Sequence, residues 1–111
     1  MKLKQARVIF SSLIILLPNK AKELGYSLAF DELTNHQGKG HKLGSLHYSG
    51  CAGDVLLYDA DDNYVTDSRG YSELGAYWKT LHPLCRWGGD FKSKDYNHFS
   101  FSPPELFGNS A

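Results

Sequence analysis

The spacing of apolar residues predicts a helical segment over residues 1–25. Within it, the apolar positions that recur at helical spacing and should face the core are Val8, Phe10 or Leu13, Leu17 and Leu24. Gly25 is a typical C-terminal stop. Because Pro18 costs about 3 kcal/mol in a regular helix interior, we expect a kink or break near Leu17 rather than one straight rod.

After residue 25 the periodicity changes to that of strands separated by turns. The strand candidates are residues 26–30, 51–58, 63–66 and 97–101. Residues 31–44 are polar, contain three glycines and predict a loop. The acidic residues 59–63 predict a hairpin turn. Their oxygen spacing also resembles the start of a calcium loop, but Tyr64 and Gly70 stand where such a loop needs its Gly and its Glu, which favours the turn.

A second helix is predicted over residues 73–81. Ser72 is its candidate N-cap and Pro83 ends it. Its apolar face should carry Leu74, Tyr77, Trp78 and Leu81, with Trp78 in the core. Gly88 and Gly89 predict a tight turn after Trp87, which could pack in the core or against a ligand, and residues 102–111 predict an irregular tail.

This order of elements predicts an α+β fold, with a small antiparallel sheet and flanking helices. The length of 111 residues fits one domain. A chain of this size can bury a core without disulfides or partner subunits, so we expect a monomer. Cys51 and Cys85 are too few for a disulfide framework, and we expect free thiols.

Composition excludes some partners. The 12 basic and 12 acidic side chains balance, with no basic cluster typical of nucleic-acid binding, so a nucleic acid is not the expected partner. The apolar run of residues 8–17 is too short to span a bilayer of about 30 Å. It imitates a signal peptide, but no small-x-small cleavage site follows Pro18. We therefore expect this run to stay in the folded domain, with export by a signal peptide as the minority interpretation.

Residues with metal chemistry are concentrated in two segments. Residues 45–55 carry His47 and Asp54 around a glycine-containing turn, and residues 95–99 carry Asp95 and His98. A zinc peptidase needs three nitrogen or oxygen ligands, an open position for water, and a base within reach of that water. The two segments together offer enough groups for such a site, although His and Asp at this spacing also occur by chance.

Three sequence blocks strengthen this hypothesis by resemblance. They are SxHxxGxAxD over residues 45–54, WGGDF over residues 87–91 and DxxHF over residues 95–99. In this order they resemble the zinc D-Ala-D-Ala carboxypeptidase family. This is the VanY-like group, which includes phage endolysins that cut the L-alanyl-D-glutamate bond of peptidoglycan. The resemblance extends over about residues 10–101 and is greatest to small phage-type members.

The resemblance implies a Hedgehog/DD-peptidase-like fold and a site with assigned roles. Zn²⁺ would be held by His47, Asp54 and His98, and Asp95 would be the catalytic base. The implied substrate is the peptide stem of bacterial peptidoglycan. The implied setting is a phage or prophage endolysin made in the cytoplasm that reaches the cell wall or periplasm after membrane permeabilisation.

One departure from the family leaves two function classes open. The family usually carries an Arg before the first zinc His, whereas residues 32–37 here read ELTNHQ. Either another side chain fills that role (Gln37, His36, Lys39 or Lys42) or activity is weakened or lost. A catalytically silent, zinc-stabilised binding domain is therefore the alternative. Within the enzyme class, the resemblance leaves open an endopeptidase or a carboxypeptidase.

Overall fold

The computed structural model describes residues 1–32 and 50–108. At its start, helices α1 (Leu3–Ile14) and α2 (Leu17–Glu23) are separated by a break at Ile15 and Leu16. Pro18 lies in the first turn of α2, where its missing N–H costs no helical hydrogen bond. Gly25, with φ +92°, follows the end of α2. The predicted break is confirmed.

Both helices bury one side against the rest of the protein. The buried residues of this side are Ala6, Phe10, Ile14, Leu17 and Ala21. The ring of Phe10 meets Trp78 edge-on, with centroids 6.1 Å apart. The expectation that Val8 faces the core is wrong, because Val8 is 58% exposed. Two residues advance a helix by about 200°, so Phe10 in the core directs Val8 away from it.

Four antiparallel strands form one sheet in the order β1-β2-β4-β3. They are β1 (Ser27–Glu32), β2 (Ala52–Tyr58), β3 (Cys85–Trp87) and β4 (His98–Phe101). One face of the sheet forms the core with the helices through the fully buried Val55, Leu57, Phe99 and Phe101. The predicted α+β fold with a small antiparallel sheet is confirmed.

Helix α3 (Tyr71–Leu81) packs beside β3. Its N-cap is Gly70, at φ +73°, rather than Ser72, which is exposed inside the first turn. The side chains of Leu74 and Trp78 are fully buried. The indole N–H of Trp78 donates to the carbonyl oxygens of Arg86 (3.0 Å) and Ser100 (3.1 Å), which ties the helix to two strands.

Residues 59–63 form the predicted turn. The Oδ1 atom of Asp59 accepts the N–H groups of Asp61 (2.9 Å) and Asn63 (3.0 Å). The hydrogen bond from Asn63 is the main cause that lowers the pKa of Asp59 below 3.8. The strand expected over residues 63–66 is reduced to a single bridge between Tyr58 and Tyr64.

Residues 102–108 are more ordered than the irregular tail predicted for residues 102–111. Ser102 and Pro103 are buried, and Pro104–Phe107 form a short helix, α4. Of the loop expected over residues 31–44, the first two residues belong to β1 and the rest lies outside the described residues. Across residues 1–32 and 50–108, no helix combines the length and apolar character needed to cross a membrane.

Candidate metal centre

Strands β2 and β4 bring Asp54 and His98 together. The two residues are direct Cα partners in the antiparallel register. Opposite residues of neighbouring strands project to the same face, with Cβ atoms about 5 Å apart. Because side chains alternate along a strand, the neighbours Val55 and Phe99 point into the core instead, where both are fully buried. His98 is buried at 5% exposure and Asp54 is half-buried.

Asp95 reaches the same place through a turn. The backbone N–H of His98 donates to the carbonyl oxygen of Asp95 over 3.2 Å, which closes the turn just before β4. The N–H of Asp95 donates to the carbonyl oxygen of Gly88 over 2.9 Å. The candidate ligand atoms of Asp54, Asp95 and His98 lie within 4.8 Å of one another, and Asp95 is exposed.

Position 88 requires a glycine because the backbone of Asp95 approaches it closely. A Cβ on Gly88 would overlap the carbonyl oxygen of Asp95 and would lie 2.8 Å from the Cβ of His98. A side chain at this position therefore displaces two members of the cluster. The tight turn predicted from Gly88 and Gly89 is a 3-10 helix over Gly88–Asp90.

Trp87 supports the same turn from the core side. Its indole N–H donates to the carbonyl oxygen of Tyr96 over 2.7 Å, and its ring stacks on that of Tyr96 with centroids 6.1 Å apart. A Cβ on either Gly75 or Gly89 would overlap the indole, so both glycines leave the space that it occupies. Trp87 is 8% exposed, which places it in the core beside the site.

Aromatic contacts extend from His98 to a cation. The ring of Phe91 lies 5.2 Å from the imidazole of His98, and the guanidinium of Arg86 lies 5.2 Å from the centroid of Phe91. Arg86 is half-buried on β3, in register with Ser100 of β4. The imidazole of His98 is therefore confined by an aromatic ring as well as by its strand.

A polar groove of about 150 Å³ opens beside Asp95. Its lining includes Thr66, Asp67, Lys94 and Asn97. Arg69 Nε donates to both carboxylate oxygens of Asp67, at 2.9 and 3.0 Å, and this contact lowers the pKa of Asp67 below 3.8. The Nζ atom of Lys94 donates to the carbonyl oxygen of Gly89 over 3.1 Å. The groove thus presents charged and hydrogen-bonding groups next to the carboxylate cluster.

The cluster fits a zinc ion by its donor types and spacing. Zinc bonds to imidazole nitrogen and carboxylate oxygen are about 2.0–2.2 Å long, so ligands of one ion lie about 3–4 Å apart. The three donor groups lie within 4.8 Å of one another, on two paired strands and a tight turn, so Asp54 and His98 can share one ion after a small side-chain adjustment, with Asp95 beside it.

Of the four residues predicted for the site, the structure unites Asp54, Asp95 and His98. His47 lies outside the described residues, as do His36, Gln37, Lys39 and Lys42. The contacts that Gly88 and Trp87 make with the Asp95 turn were not predicted. The adjacent Trp and two glycines were their only signal in the sequence.

Neither cysteine belongs to the cluster of Asp54, Asp95 and His98. Cys51 and Cys85 are buried thiols and do not form a disulfide, as expected. Burial raises the pKa of Cys85 from 9.0 to about 12. A thiol with so high a pKa stays protonated at neutral pH and is a poor nucleophile there.

A comparison with protein families supplies independent evidence. The family model described as D-alanyl-D-alanine carboxypeptidase, a group of M15 peptidases, matches residues 38–101. This match covers more than half of the chain and includes Asp54, Asp95 and His98. No curated protein matches the chain significantly. With the blocks found in the sequence and the carboxylate–histidine cluster in the structure, the match shows that the chain belongs to the D-alanyl-D-alanine carboxypeptidase family of M15 peptidases.

Proposed function

We infer that the protein is a zinc-dependent peptidase that hydrolyses the peptide stems of bacterial peptidoglycan. The observation that carries this conclusion is the convergence of Asp54, Asp95 and His98 within 4.8 Å in a chain of this peptidase family. His47, Asp54 and His98 are the proposed ligands, and Asp95 is the proposed general base. Once bound, Zn²⁺ would lower the pKa of a coordinated water to about 7 and polarise the scissile carbonyl.

The protein's own residues position the ligands, transfer the proton and contact the substrate. Asp54 and His98 sit on paired strands, which hold their donor atoms in place with little motion. Asp95 is exposed on a turn, so its carboxylate is accessible to water and substrate. In this role it accepts a proton from the attacking water and passes it to the departing amine. The groove beside Asp95 offers polar partners to an extended peptide.

The setting is part of the proposal. We expect the protein to act as a monomeric phage or prophage endolysin, made in the cytoplasm and acting at the cell wall. Burial of Phe10 and Leu17 in the core supports the retention of residues 1–25 rather than their removal as a signal peptide. The scissile bond is either L-Ala–D-Glu or D-Ala–D-Ala.

Mass spectrometry of a peptidoglycan digest tests this function and identifies the bond. Purified peptidoglycan is incubated with the protein as isolated, after removal of metal by a chelator, and after zinc is restored. We expect stem-peptide fragments in the first and third samples and none in the second. Fragments that persist without metal would refute zinc dependence. A protein that binds one zinc and releases no fragments would be the silent binding domain.

A further inference from the structure

The charges of this neutral chain are divided unequally along its length. Residues 1–22 contain five Lys or Arg residues and no Asp or Glu, whereas the remaining residues contain seven basic and all 12 acidic side chains. The first segment therefore carries a formal charge of +5 and the rest carries −5. Such asymmetry is typical of proteins that orient on a charged surface.

The structure leaves much of this positive charge on the exposed surface of α1 and α2. Residues 1–22 include α1 and all of α2 except its last residue, the acidic Glu23, and both helices bury their other side in the core. Lys2, Lys4, Arg7 and Lys22 are exposed. Lys20 differs, because it is half-buried, pairs with Glu23 at 3.4 Å and lies over the ring of Tyr77.

Exposed apolar side chains share this surface. Met1 precedes α1 and lines the same groove as Val8, whereas Val8 and Ile15, seven residues apart, align along one side of the helix. The exposed fractions of Met1, Val8 and Ile15 are 42%, 58% and 64%, and the adjacent Leu16 is 39% exposed. Ile15 and Leu16 keep helical backbone angles through the break, so the exposed apolar side chains extend beyond the end of α1. We call these four residues the outer stripe.

The outer stripe is unusual within the described part of the chain. Only one other large apolar side chain there, Tyr64, is comparably exposed. An open groove of about 650 Å³ on the same surface is lined by Met1, Lys2, Lys4, Gln5, Val8 and Ile9. Apolar side chains and lysines thus border one concave surface.

We propose that this surface binds an anionic phospholipid bilayer. The lysines would lie among the headgroups and the outer stripe at the headgroup–acyl boundary, as in interfacial amphipathic helices. Charge complementarity with anionic lipid identifies the partner, and each basic residue near such a surface strengthens binding about fivefold. The apolar stripe favours lipid over a nucleic acid or another soluble polyanion, which offers no hydrocarbon. The proposed binding is adsorption at the bilayer surface through α1 and α2.

Vesicle co-sedimentation of the intact protein tests this proposal. The probes are vesicles of phosphatidylcholine alone and vesicles of equimolar phosphatidylcholine and phosphatidylglycerol. We expect binding to the anionic vesicles only, at about 0.1 M salt, where the Debye length is about 10 Å. Binding should weaken strongly at about 1 M salt, where that length is about 3 Å.

Two double variants locate the contact. K2Q/K4Q removes two positive charges. Because each charge contributes about fivefold, we expect binding to weaken about 30-fold. Removing apolar contact in V8S/I15S should weaken it about tenfold or more, since each side chain loses part of its buried area. The matched controls are K79Q/K92Q, which removes the same charge elsewhere, and Y64S, which removes an exposed ring elsewhere. Both should bind like the wild type.

The outcomes separate the alternatives. Absence of binding to anionic vesicles at low salt overturns the proposal, as does equal binding to both vesicle types. If V8S/I15S binds as tightly as the wild type while K2Q/K4Q loses binding, and a DNA duplex competes fully with the vesicles, the surface is a polyanion site instead. None of these results depends on peptidase activity, so they are independent of the proposed function.

Discussion

The indole N–H of Trp87 donates to the carbonyl oxygen of Tyr96 over 2.7 Å, inside the turn that joins Asp95 to His98. This bond connects the buried core to the turn that carries Asp95, the most exposed of the three clustered residues. Because Asp95 is held by a turn and not by a strand, its position depends on such contacts. The packing of Trp87 thus positions the proposed base, Asp95, although Trp87 is not itself one of the clustered residues.

Replacing Trp87 with Phe should impair turnover more than stability. The variant keeps a buried ring but leaves the Tyr96 carbonyl without this donor, at a cost of about 1 kcal/mol in unfolding free energy. Since small displacements of a catalytic group reduce rates by up to about 100-fold, we expect kcat per bound zinc to fall about 10- to 100-fold.

Trp78→Phe is the matched control for that experiment. It also removes a buried indole N–H, which donates to Arg86 and Ser100 rather than to the Asp95 turn. We expect it to lower the unfolding free energy by about 1–3 kcal/mol and to change kcat less than Trp87→Phe. Equal losses of kcat in the two variants would contradict a positioning role for Trp87.

Gly88→Ala should disturb both the proposed base, Asp95, and a proposed ligand, His98. The new Cβ overlaps the Asp95 carbonyl oxygen and crowds the Cβ of His98, so the turn must move. We expect weaker zinc binding in a chelator competition and turnover reduced about 100-fold. Zinc affinity and turnover like those of the wild type would show that the turn tolerates a side chain there.

Phe10 and Val8 should differ sharply in their contribution to stability. Phe10 is 2% exposed against Trp78, so Phe10→Ala leaves a cavity and should cost about 3–5 kcal/mol. Val8→Ala removes an exposed side chain and should stay within about 0.5 kcal/mol of the wild type. Urea denaturation measures both. Similar losses in the two variants would mean that α1 packs through a different side.

Stability should fall at alkaline pH because of Cys85. Burial raises its pKa from 9.0 to about 12, so the folded protein retains a proton that the unfolded chain releases. The contribution is fully present below pH 9.0 and is lost as pH rises toward about 12. Burial also raises the pKa of Tyr71 to about 12, which adds to the loss above pH 10.0.

The variant Cys85→Ala measures how much the thiol contributes to the loss of stability at alkaline pH. Its unfolding free energy should decline less steeply than that of the wild type between pH 9.0 and about 12, the window set by the Cys85 pKa shift. Parallel curves for the two proteins over that window would exclude a thiol contribution.

Elements with strong periodicity were predictable from the sequence. The break before Pro18 followed from proline chemistry, and the burial of Trp78 followed from helical spacing. Val8 was misplaced because the apolar run of residues 8–17 has hydrophobic residues on both sides of the helix. Only packing against Trp78 selects the side that carries Phe10. Strand β3 has three residues, too few to show an alternation.

The sequence predicted which of the described residues come together at the candidate site, but not which contacts hold them there. His and Asp at family spacing identified Asp54, Asp95 and His98, which the structure brings together. The support beneath Asp95 depends on contacts between α3, β3 and the turn, and a single sequence does not encode such long-range neighbours visibly. The N-cap at Gly70 was not predicted for the same reason, because it also depends on long-range neighbours. A Cβ there would lie 2.9 Å from Tyr26 and 3.0 Å from Leu57, and the position needs a positive φ.

We propose that Asp54 holds the metal and Asp95 moves the proton, and one side-by-side measurement tests this division of roles most directly. Zinc content and stem-peptide turnover are measured for Asp95→Asn and Asp54→Asn. We predict that Asp95→Asn keeps about one zinc per chain and loses about 10²- to 10⁴-fold in rate, whereas Asp54→Asn loses zinc affinity and, with it, stability. Turnover near the wild-type rate in Asp95→Asn, or loss of zinc from that variant, would contradict this division of roles.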